Sequence, residues 1–209
     1  MREPGRDCAL CPRLADFRAA NRDAFPDWHN APVMAFGGLD ARLLIVGLAP
    51  GLRGANRTGR PFTGDYAGDL LYPTLVKFGF AGGTFDARPD DGLAMVDCRI
   101  TNAVRCVPPA NKPTGAEIRT CRAFLAAEIA AMGNLTAILT LGKIGHDSVV
   151  RTLGARLVDW PFAHGAVYDL PGGPLLAASY HCSRLNTNTG RLTTDMFEAV
   201  IAALRARLR

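Results

Sequence analysis

The chain has 209 residues, 48% of them hydrophobic and 21% charged, which excludes disorder as its main state and supplies enough apolar mass for one packed domain. No run approaches the roughly 18–20 apolar residues that a spanning helix needs, and the opening MREPGRDCALCPRL lacks the apolar core of a signal peptide, so a cytoplasmic monomer is expected. A net charge of +5 permits a polyanionic partner without proving one.

Leu43–Leu48 (LLIVGL) is a continuous apolar run, the pattern of a strand buried on both faces of a parallel sheet. A long loop rich in glycine, proline and arginine follows, from Ala49 to about Gly64. Asp65–Phe78 spaces Leu70, Leu71, Leu75, Val76 and Phe78 as a helix does, and Ala94–Ala103 reads as a second strand. Thr114-Gly-Ala-Glu117 is a capping box, which predicts a helix running to about Met132. Thr136–Leu141 predicts a third strand with a short helix after it, ending near Gly154, and Leu175–Tyr180 predicts a fourth strand. The last segment is amphipathic, with Met196, Val200, Ala203 and Leu204 on one face beside Phe197 and Ile201. Strands alternating with helices imply a three-layer α/β/α fold around a central, mostly parallel four-stranded sheet, a single domain over residues 1–209. Ligands of such sheets bind beyond the carboxyl ends of the strands, so the loops after Leu48, Ile100, Leu141 and Tyr180 are where chemistry is expected.

Six cysteines occur, and in a reducing compartment close pairs more often bind metal than form disulfides. Cys8 and Cys11 lie outside any core pattern, and Cys106 and Cys121 can complete a four-thiolate set, which suits an iron–sulfur cluster or zinc. The other reading of Cys106 and Cys121 is as small buried hydrophobes; Cys98 and Cys182 are not expected to be ligands.

The segment Gly47-Leu-Ala-Pro-Gly51 has glycines that let backbone approach a ligand and N–H groups that can hold an oxyanion. It is no P-loop, because no Gly-Lys-Ser/Thr follows. Phe62 near Asp65, with Arg53, Arg57 and Arg60 close by, offers a stacking ring, a carboxylate and phosphate-directed cations, the set a flipped base needs. His181 directly follows the last predicted strand, and the polar loop Asn186-Thr-Asn-Thr-Gly-Arg191 can clamp a sugar–phosphate backbone. Asn102 carries both donor and acceptor for a base edge, although a turn residue is its plainer reading. Lys143 reads as a solvated helix start.

Taken in order, GLAPG, GANRTGRPFTGD, TNAVRC and SYHCS followed by NTNTGRLT resemble the uracil-DNA glycosylase superfamily, and the cysteines resemble its iron–sulfur branches. Ala49, where the family 4 enzymes have an acidic residue, is similar to family 5. The resemblance implies a monofunctional repair glycosylase that removes uracil, and also hypoxanthine or xanthine, mainly from double-stranded DNA. It implies a [4Fe-4S] cluster on Cys8, Cys11, Cys106 and Cys121, and catalytic roles for Asp65, Asn102 and His181. Gly47, Ala49, Pro50, Gly51, Phe62, Ser183, Asn186 and Arg191 are then the expected substrate-binding residues. One departure stands out: the family's usual His-Pro-Ser is His181-Cys182-Ser183 here, which removes a proline restraint beside the histidine and predicts looser holding of it. Two other classes fit parts of the pattern, a metal-stapled nucleic-acid-binding module without catalysis and a hydrolase of free nucleosides.

Overall fold

The structure, a computed structural model, describes residues 2–208. Its elements in chain order are α1 (Pro12–Ala24), β1 (Leu43–Gly47), α2 (Ala55–Thr58), α3 (Tyr66–Lys77), β2 (Ala81–Gly82), β3 (Ala94–Met95), β4 (Cys98–Asn102), α4 (Gly115–Ala131), β5 (Ala137–Leu141), α5 (Lys143–Thr152), β6 (Val167–Asp169), β7 (Leu175–Ser179), α6 (Arg184–Asn188) and α7 (Thr194–Arg207). The central sheet has the order β4-β1-β5-β7-β6. Its first four strands are parallel, in a register that sets Gly47 beside Asn102.

These four are the apolar runs expected from the sequence. A fifth strand, β6, pairs antiparallel with β7 at the edge. It leaves no apolar signature because two of its three residues face solvent. The run expected as one strand over 94–103 divides in two at Asp97. That residue takes a left-handed backbone (φ 52°), and its carboxylate accepts from the Arg42 N–H and guanidinium. β4 joins the central sheet, whereas β3 turns away to pair with β2.

Strand alternation divides the core between two helical layers. Leu43 and Ile45 of β1, with Ile100 and Leu139, pack against Leu71 and Leu75 of α3 and Phe197 and Ile201 of α7. Leu44 and Val46, with Ile138 and Leu176, pack against Leu125 of α4 and Val149 and Val150 of α5. Both faces of the parallel strands are therefore dry, which is why they read as unbroken hydrophobic runs. The α4 start is as the capping box predicts: Thr114 Oγ1 accepts from the Glu117 N–H, and Glu117 accepts from the Thr114 N–H. Among the described residues no helix is long and apolar enough to cross a membrane.

Candidate active site

Parallel strands end together, so β1, β4, β5 and β7 deliver their following residues to one edge. There a cavity of about 530 Å³ opens, lined among others by Ala49, Gly51, Asp65, Tyr66, Lys143, His181, Ser183 and Arg184. A narrower recess shares Ala49, Gly51, Asp65 and His181 with it and adds Pro50, Phe62 and Asn102. Residues far apart in the chain thus meet around one small volume.

Each is positioned by local chemistry. Gly47 ends β1 with no room for a side chain: a Cβ there would stand 2.5 Å from Asn102 Oδ1 and 2.6 Å from the tip of the Phe62 ring. Gly51 plays the same part on the other side, where a Cβ would lie 2.8 Å from Asp65 Oδ2. Asp65 is the N-cap of α3 and accepts the Ala67 N–H on Oδ1 at 3.2 Å. Burial pushes its carboxyl above the ordinary value, opposed by backbone hydrogen bonds from Ala67 and Gly68. Neither the Ala49 nor the Gly51 N–H donates a hydrogen bond to another described residue.

Phe62 is buried with a left-handed backbone (φ 52°), an uncommon conformation for an aromatic residue. A buried network holds this turn. Tyr72 donates to the Pro61 carbonyl at 2.5 Å, and Arg60 donates to Thr63 Oγ1 at 2.7 Å. Arg60 also forms a two-pronged ion pair with Asp91, which is held well below the usual carboxylate range by it. This corrects the expectation that Arg60 is directed at a phosphate: its guanidinium lies under Phe36, Tyr72 and Phe85 and is spent on Asp91. Arg53 and Arg57 remain exposed.

His181 leaves the end of β7 with its ring 5.7 Å from that of Phe62, the planes 28° apart. Its Nδ1 is buried without a hydrogen-bond partner, and burial pulls the imidazole down to about 4, so it is neutral at physiological pH. Without the proline, other contacts bear on His181. Cys182 is fully buried in the core beside α7, and Asn186 donates to the His181 carbonyl at 2.8 Å, so two anchors replace the proline. Asn186 therefore shapes the site from behind and does not line either cavity. Arg191 likewise stays outside, stacked 4.5 Å over the Tyr180 ring.

The polar loop expected over 186–191 is partly the short helix α6, which presents Leu185 73% exposed beside the cavity residues Ser183 and Arg184. Its signal in the sequence is only an apolar residue stranded in a polar run. Tyr66 and Ile144 are further lining residues the sequence did not single out. Lys143 pairs with Asp147 at 2.6 Å, as a solvated helix start does, while its chain also borders the cavity.

The four candidate ligand cysteines line a second space, between α1 and α4, with Leu14, Val104 and Phe124. Burial pushes the Cys106 thiol to about 12 and the Cys121 thiol to about 11. Donors surround the sulfurs: Arg18 reaches Cys106 Sγ at 3.6 Å and the Arg105 N–H reaches Cys121 Sγ at 3.3 Å. No three His, Cys, Asp or Glu side chains among the described residues converge tightly enough to hold a single ion. Cys98 and Cys182 face the core on the α3–α7 side, away from this space.

The sequence profile of the Uracil DNA glycosylase superfamily matches residues 34–205. The chain is 45% identical over 200 residues to a type-5 uracil-DNA glycosylase of Thermus thermophilus, covering 93% of this chain and 90% of that protein. It is 43% identical to one of Mycobacterium leprae (92% and 88% covered) and 38% identical to one of Pyrobaculum aerophilum (93% and 86%). A type-4 uracil-DNA glycosylase of Thermotoga maritima matches at 32%, over 75% of this chain and 72% of that protein. With its parallel sheet and the recess at the strand ends, the chain belongs to the uracil-DNA glycosylase superfamily, in its type-5 branch.

Proposed function

We propose that this chain is a monofunctional repair glycosylase that hydrolyses the N-glycosidic bond of uracil, and of hypoxanthine and xanthine, in double-stranded DNA. The observation that carries this reading is the convergence of Asp65, Asn102, His181 and Phe62 on one recess at the carboxyl edge of the sheet. It acts as a monomer in the cytoplasm, where its six unpaired cysteines stay reduced.

A base extruded from the duplex enters over Leu185, which is the apolar wedge that fills the vacated stack, and rests on the face of Phe62. Asn102 pairs with its edge. As the glycosidic bond breaks, its electron pair leaves with the base and positive charge gathers on the sugar. Neutral His181 donates an N–H to the base carbonyl oxygen, and the free N–H groups of Ala49 and Gly51 add to that oxyanion stabilisation. Asp65, as carboxylate, stabilises the sugar cation and orients the water that attacks it, accepting the water's proton. The products are free base and an abasic site. Among the described residues no lysine lines the recess, and Lys143, which borders the wider cavity, is paired with Asp147 at 2.6 Å, so no amine is free to form a Schiff base and the strand stays intact.

The donor set at the second space, four thiols with N–H donors at the sulfurs of Cys106 and Cys121, fits a [4Fe-4S] cluster on Cys8, Cys11, Cys106 and Cys121. When bound, the cluster supplies a structural cross-link, tying the N-terminal segment to α4 within a single domain of residues 1–209. The deciding experiment incubates metal-loaded protein with duplexes carrying uracil or hypoxanthine, with and without later alkali. Strand breaks only after alkali are expected. Their absence from loaded protein would overturn the enzyme and leave a DNA-binding module.

A further inference from the structure

On the α4–α5 side of the molecule, next to the active-site cavity, lies a separate pocket of about 280 Å³ lined by Gly115, Arg119, Arg122, Ile144, Asp147, Ser148 and Arg151. Ile144 belongs to both walls, so the pocket and the cavity adjoin. Three guanidinium groups face this pocket, and among the described residues none of them has a carboxylate within ion-pair distance. The one carboxylate in the lining, Asp147, is taken by Lys143 at 2.6 Å. Glu117, at the start of α4, is turned to the other side and bound by Arg13 at 2.7 Å.

Two buried polar atoms in this lining lack partners. Ser148 is 1% exposed, and its Oγ makes no hydrogen bond; the Arg122 Nε is buried without an acceptor. A buried donor without an acceptor is costly, and here two of them border the same cationic hollow. Burial, and after it repulsion from Arg151 and Arg119, holds the Arg122 guanidinium below its ordinary value. The start of the 17-residue α4, at Gly115, adds the positive end of a helix dipole. This arrangement suits an anion with several acceptor oxygens.

We propose that this pocket is a phosphate site, occupied in the working enzyme by a backbone phosphodiester of the DNA whose damaged nucleotide lies in the adjoining cavity. The inference rests on the glycosylase reading for its occupant, and on the pocket alone for its chemistry. Free inorganic phosphate would satisfy the same groups. Arg119 and Arg151, both exposed, neutralise a phosphate here directly, while the buried Ser148 Oγ and Arg122 Nε reach its oxygens through a shift of the lining side chains. Such a contact fixes the register of the duplex without reading its sequence.

The test measures binding of the metal-loaded protein to a 30-base-pair duplex carrying an abasic-site analogue, between low and moderate salt. Arg122→Gln should weaken binding about tenfold at low salt and reduce the slope of log affinity against log salt by about one. Arg156→Gln, which removes an exposed arginine paired with Asp159 outside the pocket, serves as the comparison for charge alone. Ser148→Ala changes no charge and should cost about fivefold in binding. If Ser148→Ala binds as wild type and Arg122→Gln loses no more than Arg156→Gln, a DNA phosphate is ruled out. The second arm titrates inorganic phosphate at constant ionic strength without DNA. A rise in Tm that Ser148→Ala abolishes, with no effect on DNA binding, would assign the pocket to free phosphate and overturn the DNA occupant. No response in either arm overturns the site. Failure of the glycosylase reading is visible separately, as wild-type protein that leaves no alkali-labile site in a uracil duplex.

Discussion

The recess at the strand ends and the cysteine-lined space differ in how they are held. Asp65 is capped onto α3, Phe62 is locked by the Arg60–Asp91–Tyr72 network, and His181 is anchored through Cys182 and Asn186. That geometry is complete in the polypeptide alone, as an electrostatic catalyst requires, because its groups must not reorganise at the moment of reaction. The four cysteines come from the N-terminal segment, the loop after β4 and α4, and are joined by apolar contact and by polar bridges from Arg13 to Glu117, from Arg18 to Cys8 and Cys106, and from the Arg105 N–H to Cys121. One site is preorganised by the fold; the other, on the proposed reading, would be organised by its cluster.

Removing charge from the first region should therefore destroy function and spare structure. Asp65→Asn keeps an oxygen to accept the Ala67 N–H, so the fold and DNA affinity should persist, while single-turnover excision falls by about 10²–10⁴-fold. Excision at the wild-type rate would remove Asp65 from the mechanism. Cys11→Ala should do the reverse. Iron content and visible absorption drop, Tm falls by roughly 5–10 °C, and trypsin gains access to Arg13 and Arg18, while excision by the surviving folded fraction drops about tenfold or less. A Cys11→Ala protein that is folded yet as inactive as Asp65→Asn would erase the distinction between the two regions.

The sequence showed these regions unequally for a physical reason. Buried parallel strands must be apolar on both faces, so β1, β5 and β7 are readable as unbroken runs, and with them the edge where Asn102 and His181 emerge. The α1 helix was invisible because the residues it buries include Arg18 and Asn21, polar groups that serve the cysteine space and the neighbouring loop and carry no hydrophobic period. Arg60 was misread for a related cause. An arginine in a glycine-rich loop looks solvent-directed until its partner is known, and Asp91 lies 31 positions away in sequence. The contacts beside His181 include the burial of Cys182, a tertiary fact that the absent proline alone does not reveal.

Between the two extremes lies α6, a short surface helix that carries Leu185, the proposed wedge. Leu185→Ala removes an apolar side chain that touches little in the free protein, so stability should be unchanged. Excision from duplex DNA should fall about tenfold, since the extruded state loses the residue that fills its gap. Single-stranded substrate, which has no stack to refill, should change less than twofold. Equal losses on both substrates would make Leu185 part of the recess and not a wedge.

The smallest effects concern protons, and they separate the two groups proposed to be catalytic. His181 is pulled down to about 4 by burial, so it is already neutral throughout the working range and gives no step in rate between about pH 5 and 8. Asp65 is pushed above the ordinary carboxylate value, so excision should rise with pH through that shifted value as the carboxylate forms, then stay flat. The same shifts act on stability. The unfolded chain protonates His181 near its usual value of about 6.5, where the folded chain does not, so the unfolded state binds more protons in that interval. Stability from this group is complete above about 6.5 and declines as pH falls toward 4. His181→Asn should remove that decline, visible as a flatter Tm profile in acid, while a slower enzyme keeps the same acidic limb of its rate profile. If the limb disappears with His181, the titrating group is the imidazole, and Asp65 is ionised at every pH where the enzyme works.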